Sequence, residues 1–211
     1  MPDLSGLQRD VLDRLQAKHR AREAGLDSSR RAVRASANAI RATHRGEWER
    51  ARALLGEAAE ALASARAACA AHPAVEHAGF LHDADKEYAE ARTTHALVAG
   101  EALPSPEALG VDDAAYLNGL AETVGELRRH TLDVLRAGDL ERCERLLSAM
   151  EDIYGLLVTV DYPDGVTGGL RRSTDVARSI IERTRGDLAT AAVQGQLRAA
   201  LDAHRRAVLG E

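Results

Sequence analysis

Residues 79–91 read Gly79-Phe80-Leu81-His82-Asp83-Ala84-Asp85-Lys86-Glu87-Tyr88-Ala89-Glu90-Ala91 and contain the chain's only phenylalanine. Read as a helix, the stretch places residues three, four and seven apart on one face. Asp83, Glu87 and Glu90 then form a single acidic stripe. Like charges so placed cost a helix roughly a few tenths of a kcal/mol each. Water on an exposed face, a cation or a basic partner has to offset that cost, and which of them does is the functional question.

Composition supports the helical reading outward from this stretch. Hydrophobic residues make up 45% of the 211 but aromatics only 3%, so a core is built from Ala, Leu and Val. That palette suits close-packed helices better than sheets. The five prolines fall at the edges of periodic segments or between them. The expected fold is all-α: one domain over residues 1–211, a bundle of about six to seven helices, with residues 1–25 extending the first helix.

Two cysteines, Cys69 and Cys143, form no C-x-x-C pair and read as buried thiols of a reducing compartment. The charged start MPDLSGLQRDVLDRL has no apolar signal region, and no run approaches the roughly 20 apolar residues of a membrane span. A cytoplasmic protein is expected. The formal net charge of −5 argues against general nucleic-acid binding by bulk charge, but its distribution is uneven. Residues 1–52 carry 12 Lys and Arg against 7 Asp and Glu, whereas the remainder carries 16 against 26.

In chain order, Leu4 to Thr43 reads as one long helix or two collinear ones, with a restart conceivable at Gly25, capped from Asp27-Ser28-Ser29. Leu26, Val33 and Ile40 recur at heptad spacing and are expected on its buried seam. From Ser28 to Arg45 there is no acidic residue. Arg30, Arg34, Arg41, His44 and Arg45 fall in a stripe about 100° wide, a candidate anion-binding face. Gly46 stops the helix and a second runs from Glu47 to about Ala71. The segment HRGEWERARALL (44–55) resembles RAGDLERCERLL (136–147), so one kind of helical turn is used twice. A third helix holds the opening stretch and ends near Gly100. A fourth runs from Asp112-Asp113 to Ala137, a fifth from Leu140 to about Val160, and a last from Leu170 to Val208. Val176, Ile180, Ile181, Thr184 and Leu188 are expected on the apolar side of the last helix. Arg171 and Arg172 sit at its start, the unfavourable end for cations, which calls for an anion or an acidic neighbour there.

The fourth helix carries a second carboxylate pair, Glu122 and Glu126. If it packs beside the third, Glu87, Glu90, Glu122 and Glu126 converge as hard oxygen ligands suited to Mg²⁺ or Mn²⁺. Such a cluster serves two-metal phosphoryl chemistry. Spacing alone leaves the plainer alternative open, that these are solvated helix faces. A di-iron bundle needs Glu-x-x-His on two helices, and no Glu here has a His three residues later. There is no G-x-S-x-G, P-loop, G-x-G-x-x-G or H-E-x-x-H.

GFLHDADKEYAEA resembles the acidic K/Q-E-Y-x-E-A signature of the translin family, in particular its translin-associated factor X branch and that branch's archaeal and bacterial relatives. The likeness continues through LPSPEALGV, YLNGLAETVGELRR and AGDLERCERLLSAMEDIYGLLVTVDYPDGVTGGLRRSTDVARSIIERTRGDL, roughly residues 25–190. It implies an all-α fold whose copies close into a shell, here a homo-oligomer of hexamer to octamer size, around single-stranded RNA or single-stranded DNA. It implies a Mg²⁺-dependent endoribonuclease with Glu87 and Glu90 matching the E-Y-x-E pair and Glu122 and Glu126 matching the D-x-x-G-E pair. Glu122 stands where that family more often has Asp. The basic helix carrying Arg30 to Arg45 is then expected to face the enclosed nucleic acid. The alternative is a shell that binds RNA or single-stranded DNA without cutting it, and a third is a helical scaffold with no nucleic-acid role.

Overall fold

The computed structural model of the chain describes residues 4–209, and among these there are nine helices and no strand. The described residues form two compact units that divide between Leu120 and Ala121.

In the first unit, α1 (Ser5–His44), α2 (Trp48–Cys69) and α4 (Phe80–Ala99) pack against one another. Two four-residue helices, α3 (Pro73–Glu76) and α5 (Pro106–Leu109), lie in the connections. Each begins at the proline, whose missing N–H costs nothing at a first helical position. The helix α6 (Asp113–Arg136) starts in this unit and continues without a break into the second.

α1 is a single helix through Gly25, not two. The reason is visible in the packing: a Cβ at Gly25 would sit 2.5 Å from Cys69 Sγ and 3.2 Å from the Phe80 ring. The glycine makes room for neighbours rather than a break in the backbone. The same explanation moves the seam. Gly25, Ser29, Ala32, Ser36, Ala39 and Thr43, alternating four and three apart, are the buried line. Of the expected Leu26, Val33 and Ile40, only Ile40 is buried; the other two are half-exposed. Where helices approach this closely only small side chains fit between them, and larger ones are displaced to the rim of the contact. Ala32, Ala35, Ala58, Ala61, Leu62, Ala84 and Tyr88 form one core cluster, and Ala39, Ile40, Leu55 and Ala91 another. N-terminal to residue 20, α1 is exposed nearly throughout, with Leu4, Leu7, Leu12 and Leu15 between 55% and 61% accessible.

The turn after α1 follows its sequence. Gly46 adopts φ +70°, Glu47 N–H donates to the Ala42 carbonyl (2.9 Å) and Gly46 N–H to that of Thr43 (3.0 Å). This pair of bonds closes the last turn of the helix onto its end carbonyls. The related segment behaves alike in the second unit: Gly138 has φ +86°, and the Asp139 and Gly138 N–H groups donate to Val134 and Leu135.

The second unit contains the rest of α6, then α7 (Leu140–Leu157), α8 (Asp164–Thr167) and α9 (Leu170–Leu209). The Asp139 side chain caps α7 by accepting from Arg142 N–H at 2.9 Å. α7 packs on α9; α7 buries Cys143, Leu146, Leu147, Met150, Ile153 and Leu157, and α9 buries Leu170, Ala177, Ile181, Thr184 and Leu188. Val176, expected in that face, is 53% exposed; Ala177 takes the buried position. The choice follows from the angle: Ala177, Ile181, Thr184 and Leu188 repeat at four and three, and Val176 stands about 100° away. Arg128 of α6 donates to Thr184 Oγ1 (3.0 Å) and Asp187 Oδ2 (2.8 Å), tying α6 to α9. Arg171 at the start of α9 does have acidic neighbours. It lines a cleft of about 750 Å³ together with Asp161, Asp164 and Asp175.

Candidate metal centre and basic face

α4 presents two different acidic faces. Leu81, Ala84, Asp85, Tyr88, Ala89 and Ala91 are buried, while Glu87 and Glu90 are half-buried and Asp83 is exposed. The original three-residue stripe is therefore divided: Asp83 faces solvent, and Glu87 and Glu90 turn toward the start of α6. That helix passes α4 at Gly119, hard against the Lys86–Glu90 turn.

One turn beyond Gly119 on the same helix comes Glu122. Carboxylate oxygens of Glu87, Glu90 and Glu122 all lie within 4.8 Å of one another, and all three residues are half-buried. Two carboxylates that close repel by about 3.5 kcal/mol at an effective dielectric of 20. Lys86 Nζ, 3.7 Å from Glu87 Oε1, supplies one positive charge. Three carboxylate oxygens gathered this closely are hard ligands suited to a divalent cation, and size agrees. Oxygen ligands about 2.1 Å from Mg²⁺ stand roughly 3.0 Å apart when adjacent and 4.2 Å when opposite. The 4.8 Å within which the trio falls lies close to the wider of these two distances, inside the range that small rotamer adjustments cover. Glu126 is outside the trio, a further turn along α6, with Arg129 Nη1 3.8 Å from its carboxylate.

Asp85, which spacing did not single out, is the most deeply buried carboxylate in α4 at 7% exposure. Arg66 Nη2 of α2 donates to its Oδ1 at 2.5 Å. Burial pushes the Asp85 carboxyl above its ordinary value; the hydrogen bond and charge of Arg66, and His82 more weakly, oppose the rise. The available signal was position: an Asp between Ala84 and Tyr88 on an apolar face requires a cation.

The basic stripe on α1 is only partly available to an anion. Arg30, Arg34 and Arg41 are exposed, and none makes an ion pair among the described residues. Arg41 donates to Asn38 Oδ1 at 2.8 Å. Arg45 instead makes a two-pronged contact with Glu47 (2.6 and 3.1 Å), and His44 is half-buried. Arg31, at the edge of the expected stripe, joins Arg34 and Asn38 in a groove of about 360 Å³ whose far wall on α2 carries Glu57 and Glu60. The groove therefore mixes signs, and the purely basic surface is the outer line through Arg30 and Arg41.

Behind the same helix end, Thr43 Oγ1 lies 3.1 Å from His95 Nδ1, and Trp48 meets the His95 ring edge-on at 5.9 Å. Burial holds the His95 imidazole below its usual range.

These observations define the class: an all-helical protein with a carboxylate trio on paired helices and an acid-free arginine line on another. No family model matches the chain. It is 32% identical over 182 residues to an uncharacterized protein of Methanocaldococcus jannaschii, covering 85% of this chain and 80% of that one. The solved structure of AfC3PO is similar at 35% identity and a TM-score of 0.77, over 89% of this chain and 97% of that one. A structure of AfC3PO in complex with duplex RNA matches to the same degree. NeC3PO shares the fold at a TM-score of 0.77 and 22% identity, over 90% of this chain and 98% of that one. The chain belongs to the translin family. Among the described residues, no helix is long and apolar enough to cross a membrane.

Proposed function

We propose that this chain is an RNA-binding protein that assembles into a closed homo-oligomer and cuts RNA endonucleolytically with Mg²⁺ or Mn²⁺. The observation that carries the reading is the carboxylate trio of Glu87, Glu90 and Glu122 within 4.8 Å. The likeness to AfC3PO, which has been solved with duplex RNA, supports RNA as the ligand. A divalent ion held there supplies charge neutralisation and acidifies a bound water. The rest falls to the chain's own side chains. Glu87, Glu90 and Glu122 provide the ligands, with Glu126 further along α6 as the fourth member of the set. Lys86 offsets part of their mutual repulsion. Arg30, Arg34 and Arg41 hold backbone phosphates, so affinity falls as salt rises. With so few aromatic side chains to stack on, the protein selects little by base. Single-stranded RNA is the expected substrate, since an unpaired strand lets each phosphate reach the carboxylates.

The test is cleavage of labelled single-stranded and duplex RNA with Mg²⁺ and with EDTA, by wild type, Glu87→Ala and Glu90→Ala. Cleavage should require the metal and disappear in both variants. Equal cleavage by all three proteins rejects the reading. A second reading, a shell that binds single-stranded RNA or DNA without cutting, is favoured by Glu122 standing where the family more often has Asp. It leaves RNA retention on a filter intact in all three proteins, with no metal-dependent product.

A further inference from the structure

Gly119 is buried in the interior of α6 with ordinary helical backbone geometry; it is not among the positive-φ glycines. A glycine there costs about 0.8–1.0 kcal/mol in helix propensity relative to alanine. No turn requires it, so the reason lies in space. A Cβ at this position would stand 2.5 Å from the Lys86 carbonyl oxygen, 2.9 Å from Ala89 Cβ and 2.9 Å from the Glu90 backbone nitrogen. Two of these atoms are backbone and the third is a Cβ, so no flexible side-chain end yields. Gly125, two turns later on the same helix, differs: its added Cβ would meet only Ile180 Cδ1, at an ordinary 3.8 Å.

The three atoms crowding Gly119 belong to the turn of α4 that carries Glu87 and Glu90. Three residues after Gly119, on the same face, is Glu122. The absence of a side chain at 119 thus fixes how near the two helices come at the point where the trio forms. We propose that Gly119 is a positioning residue for the Glu87–Glu90–Glu122 group, setting the spacing at which it takes a divalent cation. This rests on the reading of the trio as a metal centre. A methyl group at 119 has to move the helices apart by about an ångström to reach normal contact. That displacement carries Glu122 away from both partners while leaving every ligand in place chemically.

The experiment measures Mn²⁺ binding to the full chain by electron paramagnetic resonance, together with thermal unfolding, for wild type, Gly119→Ala and Gly125→Ala. Gly119→Ala should weaken Mn²⁺ binding at least about tenfold, the scale of losing support behind metal ligands. Gly125→Ala should bind like wild type. A glycine with a merely structural role lowers the melting temperature of Gly119→Ala but leaves the affinity of the folded protein unchanged, and that result overturns the proposal. If Gly119→Ala fails to fold, Ala89→Ser places a smaller wedge in the same contact from the other helix. Weakened binding by Ala89→Ser supports the proposal, and unchanged binding overturns it. Wild type that takes up no Mn²⁺ overturns the metal reading itself, an outcome separate from Gly119→Ala matching a wild type that does bind.

Discussion

Replacing Arg66 by alanine isolates the cost of leaving Asp85 buried without its cation. Asp85 is 7% exposed, whereas the Arg66 side chain is 36% exposed, so the pair is dry at one end and wet at the other. Breaking a fully buried pair costs about 3–5 kcal/mol, and a surface pair contributes only about 0–1 kcal/mol. With the anion buried and the cation partly solvated, Arg66→Ala should cost about 2–3 kcal/mol at pH 7.5, near the low end of the buried range. At 2–4 °C per kcal/mol for a chain of this length, that is a fall of roughly 4–12 °C in Tm. The pH dependence follows from the sign of the shift. Burial already raises the Asp85 carboxyl with Arg66 in place, and its removal raises it further. An acid whose folded value lies above its unfolded value loses stability as pH rises through the folded value, and regains it as pH falls. The deficit of Arg66→Ala relative to wild type should therefore shrink from pH 7.5 to pH 5.5. Adding Asp85→Asn, which removes the charge but keeps the shape, should restore most of the loss. Urea unfolding of wild type, Arg66→Ala and the double variant at both pH values measures all of this. A deficit below about 0.5 kcal/mol at pH 7.5, or one that does not shrink on acidification, refutes the reasoning.

His95 gives the opposite pH sign. Its value is lowered by burial, so the folded state prefers the neutral ring, and its stabilising contribution is complete above the unfolded value of about 6.5 and lost as pH falls below it. Urea midpoints of wild type should drop between pH 7.5 and 5.5, and His95→Gln should flatten that part of the slope. The seam of α1 is tested by size: Ala32→Leu should destabilise by about 1–3 kcal/mol or more through overpacking, whereas Leu26→Ala, at a half-exposed rim position, should cost about 1 kcal/mol or less. A larger loss from Leu26→Ala than from Ala32→Leu would return the buried seam to the heptad leucine line.

The long elements were legible because their signals agree. Periodicity, caps and the two Arg/Ala-Gly-Glu/Asp turns place all six long helices within a few residues of where they stand. Faces were harder to read. In α1 the large apolar residues Leu26 and Val33 do not mark the seam, because closeness of packing reserves it for Gly, Ser, Ala and Thr. In α9 the large Val176 likewise gives way to the small Ala177. Spacing also aligned Asp83 with Glu87 and Glu90 although only the latter two turn toward α6, because the stripe is wide enough to straddle solvent and contact. The closeness of Glu122 to that pair depends on which residues of α6 meet α4, and the single-residue clue was Gly119. The Arg66–Asp85 pair joins residues of two helices that no local pattern connects.

α1 is 40 residues long, about 60 Å as a rod. Its buried line begins at Gly25, and the turns before residue 20 rest on almost nothing. Isolated helices of that length are marginal in water. One continuous helix therefore has two stabilities along its length. Amide protons between Ser29 and Thr43 are released to exchange only when the first unit opens as a whole. Those between Gln8 and Lys18 exchange through fraying that leaves the rest of the helix untouched. The melting of α1 should accordingly travel from its N-terminus and stop between Ala21 and Gly25, where Cys69 and Phe80 close on the helix.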